Sequence, residues 1–316
     1  MRIHNDYLSD NVKQLFTDTM LSDKPVFIAR IGGVEFNLAC KYYTDKVCTL
    51  QNYVKHINQL GSYAGYFDCT ENKQQNLATY LDLTIESYKN AKVITFGNGE
   101  LMKSINRGDV YSEWSELLNY VSKDKDIINY TFIEHIPNFL DSFKVWAEGK
   151  KILIVSPLSR SIEHQYPKRN TLFKSGYQFP NFELVTYNTR LTYSKFYDTK
   201  ETLRLDTNNW HEELERMKLG ISKLDFDIAL LSCASYSGPL GNYITETLNK
   251  KAIYFGGTIN VMWNIYGGRY NNGFVNAIVN LDTQIDPLEN DSIYSSSAGF
   301  HTDNESLYAY FGKRVK

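Results

Sequence analysis

Residues 225–244 read DFDIALLSCASYSGPLGNYI. The apolar run over 226–231 has the length of a strand and shows no alternation, as expected of a strand buried on both faces. It gives way at once to Ser232, Cys233, Ala234, Ser235, Tyr236, Ser237 and Gly238, the small and hydroxyl-bearing residues of a loop that opens a helix. The same sequence of events recurs along the chain. Apolar runs at 26–30, 93–96, 152–155, 183–187 and 252–255 are strand candidates. Between them, apolar residues return at three and four: Leu77, Tyr80, Leu81, Thr84, Ile85 and Tyr88 within 70–90, with Thr70 as the expected N-cap, and Trp114, Leu117, Leu118 and Val121 within 112–122. Phe139, Leu140, Phe143 and Trp146 do the same within 138–148, where Gly149 supplies the stop, and Leu214, Met217, Ile221 and Leu224 within 209–224, where Asn209 and Glu212 have capping-box spacing. Strands alternating with helices of this length predict an α/β fold, a mostly parallel sheet flanked by helices.

The 316 residues suit one large domain or two closely joined ones. We expect a single α/β domain over 1–270, with a soft boundary near 150 where a second βα series begins, and an irregular C-terminal extension over 271–316. The 42% hydrophobic content can fill a core, and the 22% charged content is not that of a disordered chain. A net charge of −2, from 34 Lys and Arg against 36 Asp and Glu, argues against nucleic acid as a partner, because counterion release needs a positive field. Cys40, Cys48, Cys69 and Cys233 form neither a disulfide framework nor a C-x-x-C pair. No apolar run approaches the ~20 residues of a membrane span, and the N-terminal stretch lacks a signal-peptide core, so the expectation is a cytoplasmic protein with at most peripheral membrane contact. Nothing in the sequence sets an oligomeric state. H-E-x-x-H, G-x-S-x-G and P-loop patterns are absent. Tyrosine is abundant, at 24 residues; its apolar face and polar tip suit a wet cleft and a half-buried surface equally.

In an open parallel sheet, ligands bind beyond the carboxyl ends of the strands. Five loops there carry polar or glycine residues. The first holds Arg30, Gly32, Gly33 and Glu35: a tight glycine turn flanked by a guanidinium suited to phosphate and by a carboxylate suited to a cation, a sugar hydroxyl or a proton, or else a structural Arg–Glu pair. The second, Phe96-Gly97-Asn98-Gly99-Glu100, repeats the glycine-plus-acid design without dinucleotide spacing, and a helix start with Glu100 at its dipole explains it as well. The third holds Ser156, Ser159 and Ser161 with Arg160, Lys168 and Arg169, an anion site or a capped basic helix. The fourth, with Ser235, Tyr236 and Gly238, suits a phosphate or ribose; Cys233 there is a packed residue, with no His evident beside it. The fifth holds Gly256 and Gly257 after a strand and the segment Trp263 to Tyr270, including Arg269, Tyr266 and Tyr270, a cover for a cleft or a plain aromatic cluster.

The segment FIARIGGVEFNLA (27–39) resembles the R-x-G-D-G-E element of the GT-D-type glycosyltransferases, and KILIVSPLSRSIEHQYPKRNTLF (151–173), DFDIALLSCASYSGPLGNYI (225–244) and KAIYFGGTINVMWNIYGGRY (251–270) look like later blocks of related proteins in the same order. The resemblance spans 24–270. It implies a Rossmann-like fold that binds a nucleotide-diphosphate sugar, a UDP-sugar first, together with a divalent Mn or Mg ion. Arg30, Gly32 and Glu35 match the motif, while the loops from Ser156 to Ser161 and Ser235 to Gly238 would face the nucleotide. Two positions depart from it: Val34 stands at the second Gly, and Gly33 stands at the Asp of the acid pair, which leaves Glu35 as the one acid of the motif. A metal would then be held by Glu35 with waters, or with Glu100 as a second ligand, or Arg30 and helix dipoles would act in its place. The expected activity is transfer of a sugar to a hydroxyl of a glycan, a lipid-linked sugar or a glycoprotein. Glu35 and Glu100 are the catalytic candidates. The alternatives are an inactive nucleotide-sugar or carbohydrate-binding module, favoured by Gly33, and a small-molecule methyltransferase, which the loop at 96–100 faintly suggests.

Overall fold

The computed structural model describes residues 1–45, 49–97, 112–195, 198–203 and 205–289. Eight strands form one sheet, all pairs parallel: β1 (Arg2–His4), β2 (Phe27–Ile31), β3 (Val93–Phe96), β4 (Asp126–Asn129), β5 (Lys151–Ser156), β6 (Glu183–Asn188), β7 (Ile228–Leu231) and β8 (Lys251–Tyr254). Their order is β1-β4-β3-β2-β8-β7-β5-β6. The six strand candidates from the sequence are all present. β1 and β4 escaped notice because Arg2-Ile3-His4 and Asp126-Ile127-Ile128-Asn129 carry one and two apolar residues; their strand character comes from the ladder with their neighbours. Strands from both sides of residue 150 join in this sheet through the β2–β8 pair.

Successive residues of each strand enter opposite cores, which is the period of two at work. Phe27, Ala29 and Ile31 of β2, Leu153 and Val155 of β5, and Ala229 and Leu231 of β7 enter one core with the helices Gly33–Asp45, Leu50–Ala64, Lys73–Asn90, Trp210–Ile221 and Ser237–Glu246. Ile28, Ile152, Ile154, Ile228 and Leu230 enter the other, beneath the helices Asp10–Leu21, Ile136–Trp146 and Ser159–Gln165. Which face a helix takes follows from the direction of its crossover. Connections running toward β1 along the sheet (β2 to β3, β3 to β4, β6 to β7, β7 to β8) pack on the first face. Those running toward β6 (β1 to β2, β4 to β5, β5 to β6) pack on the second. One constant crossover hand requires this. The consequence is a crevice: the helices that follow β2 and β7 leave on one side of the sheet, those that follow β5 and β8 on the other.

Local caps hold the helices in place. The Asn209 side chain accepts from the Glu212 N–H at 3.0 Å, as its spacing predicts, but the Glu212 carboxylate reaches Asn208 instead of closing the box on Asn209. Thr70 is not the cap of the following helix. Its N–H and hydroxyl both donate to Asp68 Oδ1, and Asn72 takes the cap position. Among the described residues no helix is long and apolar enough to cross a membrane.

Candidate functional site

The crevice holds a cavity of about 480 Å³ at the carboxyl ends of four adjacent strands, β2, β8, β7 and β5. The first strand-end loop contributes Arg30, Gly32, Gly33 and Glu35; the fifth contributes Gly256, Gly257, Asn260 and Arg269; Ser156 and Ser232 come from between them. Tyr63 and Tyr193 complete the wall. Arg30 and Arg269 against Glu35 leave the described lining one positive charge in excess, a local bias suited to an anion in a chain that is near neutral as a whole.

Arg30 sits where β2 ends, half-buried. Its guanidinium carbon lies 3.9 Å from the centroid of the Tyr130 ring and 5.8 Å from that of Tyr254. On Gly256, which has φ of +65°, a Cβ would come within 2.1 Å of an Arg30 terminal nitrogen. Glycine is therefore required there twice, for the left-handed backbone and for the arginine.

Glu35 occupies the first turn of the helix that follows β2. The Gly32 carbonyl accepts from the Phe36 N–H at 2.9 Å, which starts that helix. The carboxylate folds back over Gly32, where a Cβ would meet Oε2 at 2.3 Å. Tyr254, at the end of β8, donates its hydroxyl to Glu35 Oε1 at 3.2 Å. Burial raises the Tyr254 phenol well above the ordinary value, and the Glu35 charge adds to this while Arg30 opposes it. Tyr88 is raised well above it too, by burial first and then by Glu35. Both hydroxyls stay protonated, so Tyr254 is a lasting donor to the carboxylate.

Among the described residues Glu35 is the one carboxylate that lines the cavity, and no three His, Cys, Asp or Glu side chains form a metal-binding group. A hard cation asks for several oxygen donors and usually more than one carboxylate, so the described residues do not fit a protein-held metal. Glu100 lies outside the described residues.

Several sequence-level candidates turn away from the cavity. Ser156 lines it, with its hydroxyl accepting from the Leu158 N–H, but Ser159 is buried beneath that turn. Ser161 is fully buried and committed to the C-terminal segment: its N–H donates to Glu289 Oε1 at 3.0 Å, its hydroxyl donates to Glu289 Oε2, and its oxygen accepts from the Leu288 N–H. The chain's own carboxylate thus fills the anion site expected at this helix start. The Arg169 guanidinium stacks on Tyr166 at 4.5 Å and donates to the Tyr166 carbonyl. Ser235 accepts from the Trp210 indole at 2.9 Å, and Tyr236 stacks on Trp210 (centroids 5.0 Å apart, 9° between planes) while its hydroxyl meets Thr192. Gly238 packs against Ser87, where a Cβ would meet the hydroxyl at 2.8 Å. Ser235, Tyr236 and Gly238 are buried in the core and do not line the cavity, because this part of the loop after β7 packs against Trp210 and Ser87. Tyr266 and Tyr270 line a separate minor cleft of about 10 Å³. Burial pushes the Cys233 thiol up to about 12, in keeping with a packed residue and not a nucleophile.

Sequence reasoning missed Tyr254, Tyr130, Tyr63 and Tyr193. Tyr254 had a signal, since it closes a recognised strand immediately before Gly256; the other three had none. Set against known proteins, the chain matches no family model, no curated protein and no solved structure.

Proposed function

We propose that the protein is a nucleotide-sugar-dependent glycosyltransferase. One observation carries the reading: a guanidinium held on an aromatic ring (Arg30) and a carboxylate (Glu35), five residues apart, line one cavity at the strand ends with the glycines of a second loop. Arg30 takes the diphosphate of the donor, a UDP-sugar first, and Gly256 and Gly257 let the backbone come close to it. Glu35 accepts the proton of the acceptor hydroxyl, whose oxygen bonds to the anomeric carbon. The bond from that carbon to the diphosphate breaks, and the charge that develops on the departing diphosphate is met by Arg30. The acceptor class is a glycan, a lipid-linked sugar or a glycoprotein. No step is routed through a metal.

A second reading has its own support. The Glu35 carboxylate is already engaged by Tyr254 and folds over Gly32, while Gly33 leaves the other acid of the motif absent. A module that binds the donor without turning it over meets the same geometry.

Thermal-shift titration with nucleoside diphosphates, their sugar conjugates and S-adenosylmethionine, with and without manganese, tests both readings. Stabilisation by a nucleoside diphosphate, with donor consumption that Glu35→Gln reduces at least tenfold, is the expected result. Binding without consumption across acceptors selects the binding module, and no shift with any nucleoside diphosphate would falsify both.

A further inference from the structure

We infer that Tyr130 is a positioning residue for anion recognition: its ring and the backbone of Gly256 form a slot that holds the Arg30 guanidinium with its edge toward the cavity. The inference rests on the proposed role of Arg30 in diphosphate binding and adds the residue that prepares it.

The geometry is specific. The guanidinium carbon lies over the Tyr130 ring, 3.9 Å from its centroid. Gly256 closes on the group so tightly that a Cβ there would stand 2.1 Å from a terminal nitrogen and 3.2 Å from the central carbon. The Tyr130 ring is itself fixed. It is buried, and its hydroxyl bonds to the Phe255 carbonyl at 3.0 Å and to Thr258 Oγ1 at 2.9 Å. The loop after β8 therefore supplies both one wall of the slot and the anchors of the other. The third contributor, the end of β4, lies two strands away from β2 in the sheet.

An arginine in water loses side-chain freedom when it grips an anion. Here that loss is incurred on folding, and cation–π contact offsets part of it. A guanidinium packed on a ring and against a glycine presents its N–H donors along its free edge, and such an edge matches a phosphate or diphosphate oxygen pair. Selectivity follows: the slot acts on the anionic part of a nucleotide and is indifferent to its base.

Calorimetry with inorganic pyrophosphate, UDP and uridine tests this on the full chain. Tyr130→Leu should weaken pyrophosphate and UDP about tenfold and leave uridine unchanged. Tyr130→Phe keeps the ring and should stay within about threefold of wild type. Gly256→Ala places a methyl against the guanidinium and should match the loss in Tyr130→Leu; it replaces that variant if leucine prevents folding. NMR of arginine-labelled protein gives a readout of the slot without ligand: the Arg30 side-chain N–H should carry a ring-current shift in the wild type that Tyr130→Leu or Gly256→Ala removes. Wild-type pyrophosphate affinity in Gly256→Ala or Tyr130→Leu overturns the inference, as does an Arg30 signal without that shift. Wild-type protein that binds neither pyrophosphate nor UDP, yet shows the shifted Arg30 signal, overturns the proposed function and leaves the slot standing.

Discussion

Glu289→Ala should unlatch the C-terminal segment from the helix Ser159–Gln165. Glu289 is 5% exposed and Ser161 is fully buried. The variant removes two charge-assisted hydrogen bonds, from the Ser161 N–H and the Ser161 hydroxyl, across 128 residues of chain. Each is worth ~1.5–3 kcal/mol, and the Ser161 N–H is left without its acceptor at a helix start. Allowing for partial rescue by water, the expected loss is about 3–5 kcal/mol. At about 2 °C per kcal/mol for a chain of this size, Tm should fall by roughly 6–10 °C. Differential scanning calorimetry reads it. Glu289→Gln, which keeps one acceptor and the shape, should fall about half as far. Ser161→Ala should cost less than Glu289→Ala, and the double variant should cost less than the two singles summed, because the groups are in contact. A drop below about 2 °C would refute the latch. A second arm checks the reassignment of Ser161: Ser161→Ala should leave pyrophosphate affinity unchanged, and a tenfold weakening would return this serine to the phosphate site.

Gly32→Ala should retain a stable fold, since the Glu35 carboxylate is the group that the new methyl meets and it can swing aside; donor turnover should nonetheless fall at least tenfold as the carboxylate leaves Tyr254, and unchanged turnover would remove Glu35 from the mechanism. Tyr236→Phe should cost about 1 kcal/mol through the lost Thr192 contact without altering UDP affinity, whereas a weaker affinity would place Tyr236 back in the site. Burial is the first cause of the raised phenols of Tyr80, Tyr88, Tyr236 and Tyr254. Their neutral state therefore contributes stability that is fully present below the unfolded tyrosine value near 10 and is lost as pH rises above it, at ~1.4 kcal/mol per pH unit for each group. The urea midpoint should drop steeply between about pH 10 and 11.5, with phenolate absorbance at these residues appearing only on unfolding; a flat midpoint would contradict their burial.

Local signals in the chain reached as far as local physics does. Apolar runs marked β2, β3, β5, β7 and β8, because strands buried on both faces are mostly apolar at either parity, and Leu184, Val185 and Tyr187 marked the edge strand β6. Asn209 marked a helix start because its side chain bonds three residues ahead. Arg30, Glu35, Gly256 and Gly257 were legible because a glycine pair after a strand implies close approach, and all four line the cavity. The same reasoning failed for Ser161, Ser235 and Tyr236. A hydroxyl at a helix start looks the same whether its partner is a ligand or Glu289, and an aromatic looks the same whether it meets a base or Trp210.

The sequence by itself thus determined the α/β class, the strand ends and two of the loops that carry charge to them, since those depend on hydrophobic period and turn chemistry within a few residues. Only the tertiary structure decided that the ends of β2, β8, β7 and β5 share one crevice, that Tyr130 and Gly256 grip Arg30, and that Tyr254 meets Glu35. The reason is the crossover order: one constant hand sends helices to alternate faces of the sheet, and that choice, made over more than two hundred residues, is what brings position 254 to position 35.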